Sequence, residues 1–136
     1  MLFNLSAPKI SLLYAGIMGI FYFLLSVNVI NQRRKKLVGL GHDSDPRCPL
    51  FRSVRIHGNF NEYVPLILLL LVLDEVTGRN KMVLHFLGTL LVLGRIGHFI
   101  GITKSHKTSA GRFIGTIMTF VCLITLSVFL VTKGLS

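Results

Sequence analysis

Four runs of about twenty mostly apolar residues, set apart by short polar segments rich in lysine and arginine, dominate this chain. A helix needs about 20 apolar residues to cross a hydrocarbon core about 30 Å thick, so each run is long enough to span a bilayer. Inside lipid the backbone must satisfy its own N–H and C=O groups, which selects the α-helix for isolated runs of this length. The expected spans are residues 10–31, 49–76, 82–102 and 110–131. Short connections make consecutive helices antiparallel. The fold class expected is an all-α integral membrane protein, a four-helix bundle forming one domain over residues 1–136.

Charge orients the bundle. Lys and Arg total 15 against 5 Asp and Glu, a net charge of +10 that would suit nucleic acid if it formed a patch. Instead the basic residues flank the apolar runs, where they set topology, and nucleic acid is set aside as a partner. The first and third loops with their helix ends hold Arg33-Arg34-Lys35-Lys36, Arg47, Arg52, Lys104, Lys107 and Arg112, whereas the opposite side holds Lys9, Arg79, Lys81 and Lys133. The positive-inside rule therefore turns loops one and three to the cytoplasm and both termini away from it. A cleaved secretory signal has a shorter apolar core with its charges in front, so the first span is expected to remain.

The second span carries the strongest functional signal. It opens on Arg55-Ile56-His57-Gly58-Asn59-Phe60-Asn61-Glu62-Tyr63-Val64-Pro65. At 3.6 residues per turn, Arg52, Arg55, Asn59 and Glu62 fall on one stripe. Glu62 lies about 15 Å along the helix from Arg52, near the middle of the membrane, where a lone carboxylate is costly and needs a partner. Pro65 cannot donate to the Asn61 carbonyl, and a local kink is expected there. Arg95 and His98 sit three apart on the third span at a depth matching Glu62, and Arg112 begins the fourth. With Arg52 and Arg55, these residues predict one cationic pocket with a carboxylate in its floor. Arginines clamp carboxylates bidentately and a glutamate accepts an ammonium group, so a small zwitterionic polyanion fits. The alternative is a structural ion-pair network, with Arg95 against Glu62.

Other reactive groups give less. Cys48 and Cys122 have no CxxC spacing and support neither a disulfide framework nor a zinc site. His42, His57, His85 and His106 form no HxxxH or HExxH pair, and no metal is expected. Gly97 with Gly101, and Gly111 with Gly115, have the four-residue spacing that lets membrane helix backbones approach closely, which points to oligomerisation.

The segments Arg33-Arg34-Lys35-Lys36, Val38-Gly39-Leu40-Gly41, Arg55 to Pro65, His85-Phe86-Leu87 and Gly94-Arg95-Ile96-Gly97-His98 resemble the MAPEG proteins, membrane-associated proteins in eicosanoid and glutathione metabolism, in their small bacterial branch. That resemblance implies a homotrimer in a bacterial inner membrane, with glutathione as cofactor between neighbouring protomers. It implies that Arg55, Asn59, Glu62, Arg95 and His98 bind the cofactor and that Arg112 is catalytic, holding the sulfur as a thiolate. The second substrate implied is a hydrophobic small molecule arriving from membrane lipid. The pattern departs from the family's in Phe99-Ile100-Gly101-Ile102, where a tyrosine hydroxyl is missing, in Asn31 and Gln32 for an arginine, and in Gly58 and Phe113 for an arginine and a serine.

The leading expectation is a glutathione-dependent transferase or peroxidase acting on hydrophobic electrophiles or lipid hydroperoxides. A second is a non-catalytic trimer that binds glutathione or another small anion, which the missing tyrosine favours. The third, a small proton-coupled multidrug exporter, is opposed by the cations around Glu62.

Overall fold

The computed structural model describes residues 7–41, 44–105, 107 and 109–136. Four helices follow one another: α1 (Lys9–Lys36), α2 (Pro49–Val76), α3 (Lys81–Lys104) and α4 (Ala110–Leu135). All four are long and apolar enough to cross a membrane. α1 runs past the expected end at residue 31 because the basic residues Arg33, Arg34, Lys35 and Lys36 fill its last turn, where cations complement the negative end of the helix dipole. It stops at Leu37, a left-handed residue (φ 55°): the Leu37 and Val38 N–H groups donate to the carbonyls of Arg34 and Arg33.

Local chemistry places the other ends. Pro49 occupies the first position of α2, where a missing N–H does no harm. Gly78 (φ 87°) turns the chain between α2 and α3. Asn80 then caps α3 by accepting from the Met82 N–H at 2.8 Å, and Ser109 caps α4 through the Arg112 N–H. α2 continues as helix through Pro65.

A single apolar core, with Met18 and Leu25 from α1, Val64, Ile67 and Leu71 from α2, Leu84 and Leu91 from α3, and Cys122 and Leu126 from α4, joins the helices. α1 packs on α2 and α3 and does not touch α4, whereas α3 and α4 lie closest together. The glycine spacing explains that approach, and it is used within one chain. A Cβ on Gly115 would strike the Gly94 carbonyl and the backbone of His98, and one on Gly101 would strike the Arg112 nitrogen.

The end opposite the basic loops is held by polar ties absent from the sequence-based expectations. The Glu75 carboxylate accepts from the Ile10 N–H (3.0 Å), the Ser11 N–H (2.7 Å) and the Ser11 hydroxyl (2.6 Å), so the last turn of α2 caps the first turn of α1. Asp74, fully buried, pairs with Arg79 at 3.0 Å, and the Arg79 guanidinium lies 3.9 Å from the centre of the Phe129 ring on α4. Tyr14 packs its ring on Gly88, and its hydroxyl sits 2.9 Å from the Thr89 hydroxyl and donates to the His85 carbonyl at 2.9 Å.

Candidate functional site

Arg95 is the centre of the polar cluster. Its place on α3, facing both α2 and α4, leaves only 2% of it exposed, a location a guanidinium tolerates only with partners. Nη2 donates to Asn59 Oδ1 on α2 at 2.7 Å and lies 3.5 Å from His98 Nδ1 one turn along α3. Nη1 donates to Thr119 Oγ1 on α4 at 3.4 Å, and that hydroxyl donates to the Gly115 carbonyl. The Phe60 ring lies beneath, 5.8 Å from the guanidinium carbon. Nε, buried, has no acceptor among the described residues. Three helices thus converge on one cation with an unfilled donor.

Around this buried core lies a more open ring of charge. Arg55 Nη1 and Glu62 Oε1 pair at 3.7 Å, two turns apart on the outer face of α2, with side chains 55% and 49% exposed. The Glu62 charge is close enough to act on Arg95, and those of Arg55 and Arg112 are close enough to act on His98. Arg112, half-buried in the first turn of α4, is brought there by the contact of Gly101 with its backbone. Asn59, Arg95 and His98 therefore form an inner group, and Arg55, Glu62 and Arg112 an outer one.

The structure corrects the pairing of Arg95 with Glu62 considered from sequence. Glu62 takes Arg55, on its own helix, as its ion-pair partner, while Arg95 takes Asn59. Arg52 leaves the cluster: its Nη1 donates to the Thr103 carbonyl at the end of α3. Stripe geometry fixes which residues share a face but not how far each long side chain turns. Thr119 was missed; as a hydroxyl in an otherwise apolar stretch of α4 it was visible in the sequence, and only the helix crossing showed its direction.

The remaining candidates lie apart. His57 is 3.1 Å from the Ser26 hydroxyl and stacks on Tyr22, tying α2 to α1, and His85 is engaged by Tyr14. Cys122 donates to the Leu87 carbonyl at 3.4 Å; it and Cys48 are buried free thiols. Among the described residues no three His, Cys, Asp or Glu side chains group as metal ligands. His42 and His106 lie outside the described residues.

The sequence pattern of the MAPEG family matches residues 11–132, spanning all four helices. This chain belongs to the MAPEG family. Membership makes it a membrane protein of a family associated with glutathione and eicosanoid metabolism. Among curated proteins it is similar to the inner membrane protein YecN of Escherichia coli strain K12 and its counterpart in strain CFT073. Each is 29% identical over 115 residues, covering 85% of either chain. No solved structure matches this MAPEG chain.

Proposed function

We propose that this MAPEG protein binds glutathione at the cluster centred on Arg95 and uses it against hydrophobic electrophiles or lipid hydroperoxides in a bacterial inner membrane. One observation carries the reading. Glu62 and Arg55 are about half exposed on the outer face of a 28-residue helix, Glu62 near its middle, beside a buried guanidinium with an unused donor. Charges at that depth are not left facing lipid, because each costs about 2.5–3.5 kcal/mol on insertion scales. A neighbouring copy covering α2, as in a homotrimer, together with a polar ligand, satisfies both demands.

The residues suit that ligand. Arg55 and the unfilled donor of Arg95 offer positive hydrogen bonds to carboxylates, Glu62 can accept from an ammonium group, and Asn59 and His98 add neutral contacts. Glutathione supplies a thiol, whose anion is the nucleophile toward electrophilic carbon or peroxide oxygen. Arg112, at the mouth of the cluster, favours that anion by charge. The positive-inside rule turns this end toward the cytoplasm, with both termini on the other side. Turnover of an electrophilic aryl halide and of a fatty-acid hydroperoxide by purified protein with glutathione tests the reading. Activity that falls at least roughly tenfold in Arg112→Ala is expected; no turnover of either class would overturn the enzymatic part.

A second reading, a trimer that holds glutathione or another small anion without turning it over, is favoured by Phe99, Ile100, Gly101 and Ile102, which put no phenolic hydroxyl after His98 on α3. Binding without turnover would select it. Proton coupling in the manner of a small exporter fits less well, because Glu62 lies in an ion pair and among arginines.

A further inference from the structure

At the basic end of the bundle, α1, α2 and α3 enclose a crevice of about 150 Å³. It lies on the inner side of α2, lined by the core residue Ile56, while Arg55 and Glu62 face outward. Asn28 and Gln32 reach it from α1, and Arg52 and Ser53 from α2. Phe99 and Thr103 close it from α3.

The polar atoms here are not in balance. Arg52 is anchored by its Nη1 bond to the Thr103 carbonyl at 2.8 Å, yet its Nε is buried with no acceptor among the described residues. Although the side chain is only half-buried, this one N–H is withdrawn from water without a partner, which costs free energy and favours an acceptor beside it. The neighbouring hydroxyls are engaged: Ser53 donates to the Pro49 carbonyl and accepts from Asn28 Nδ2, and Thr103 donates to the Phe99 carbonyl. The Arg52 Nε–H, the second N–H of Asn28 and the Gln32 amide remain as donors. Among the described residues no carboxylate lines the crevice.

Size and depth narrow the occupant. At about 30 Å³ per water, the space holds about five waters, or one tetrahedral oxyanion of five heavy atoms. Gln32, Arg52 and Thr103 all lie within about 6 Å of their helix ends along the axis, the level of lipid headgroups, beside the run Arg33 to Lys36 that concentrates anions. We propose that this crevice binds a phosphate group, with Arg52 supplying the charge and Gln32 and Asn28 the neutral donors, independently of the Arg95 cluster. The phosphate can come from a membrane phospholipid headgroup or from free phosphate in the cytoplasm. The low-dielectric walls of Ile56 and Phe99 strengthen a charged hydrogen bond made there.

Thermal unfolding of the full chain, purified in detergent and stripped of lipid, tests this. One arm titrates inorganic phosphate against chloride at matched ionic strength. The other titrates dioctanoyl phosphatidylglycerol against dioctanoylglycerol, which has the same chains and no phosphate. The wild type is expected to gain unfolding temperature with the phosphate-bearing probe. Half-saturation should weaken roughly tenfold in Arg52→Gln and in Gln32→Ala. Glu62→Gln should respond as the wild type, which separates this site from the glutathione reading. A response to inorganic phosphate identifies a site open to the free anion; a response to phosphatidylglycerol alone identifies a headgroup site. No response to either probe, or equal responses in wild type, Arg52→Gln and Gln32→Ala, would overturn the proposal. Gln32→Ala carries the test if Arg52→Gln does not fold.

Discussion

Arg95 and Asp74 are both buried charges, but their surroundings give them different work. Asp74 is closed off, fully buried and bonded to Arg79 through both carboxylate oxygens. Removing one partner of such a pair leaves an uncompensated buried charge, so Arg79→Ala should cost about 3 kcal/mol of stability in detergent unfolding. Arg55→Ala, which breaks a half-exposed pair, should cost less than about 1 kcal/mol in the isolated protomer. Equal costs would mean that the two pairs have similar solvation. Arg95 is held but not saturated, and Asn59→Ala removes its shortest bond. A loss of about 1–3 kcal/mol is expected, because a second donor on the guanidinium then lacks an acceptor. The stripe from Arg55 to Glu62 could be read from spacing alone, and so could the presence of Arg95 and His98 at a matching depth. Partner choice could not: an arginine reaches across several residues, and only the packed helices show that Arg95 turns to Asn59 and Thr119, and Arg52 to Thr103.

At the scale of elements, close backbone contact between α3 and α4 sets where Arg112 sits relative to His98. Gly115→Ala places a methyl group against the Gly94 carbonyl and should destabilise the bundle by about 1–3 kcal/mol. Gly16→Ala, in open space on α1, should leave the protomer as stable or raise its stability by up to about 1 kcal/mol. Denaturation of the two variants side by side checks the contrast; a neutral Gly115→Ala would mean the helices separate freely. α1 ends on a leucine in a left-handed conformation that glycine adopts without strain, and Leu37 is 92% exposed, so no packing is lost on its replacement. Leu37→Gly should therefore stabilise by about 1 kcal/mol. Hydropathy and loop chemistry locate all four helices because lipid imposes one backbone solution on each apolar run. They miss the extra turns of α1 because basic residues read as loop when judged by polarity, although they are favourable in the last turn of a helix. The Glu75 cap on α1 escaped notice for another reason: its partners are 64 and 65 residues away in sequence.

For the whole molecule, one face of α2 presents charge in mid-membrane and the basic loops gather at one end. On the proposed function, a partner copy lies over α2 and the ligand enters from the basic side. Cross-linking in membranes is expected to give a trimer, and Leu40→Cys should react with an impermeant thiol reagent only after the membrane is opened. Central to the account is the Arg95 cluster as a glutathione site, and calorimetric titration of glutathione into the detergent-purified protein, beside Glu62→Ala and Arg112→Ala, tests it most directly. Saturable heat in the wild type that weakens in both variants is the predicted result. No heat at millimolar glutathione, or binding unchanged by both substitutions, would contradict it and leave the cluster as a structural network or a site for another anion.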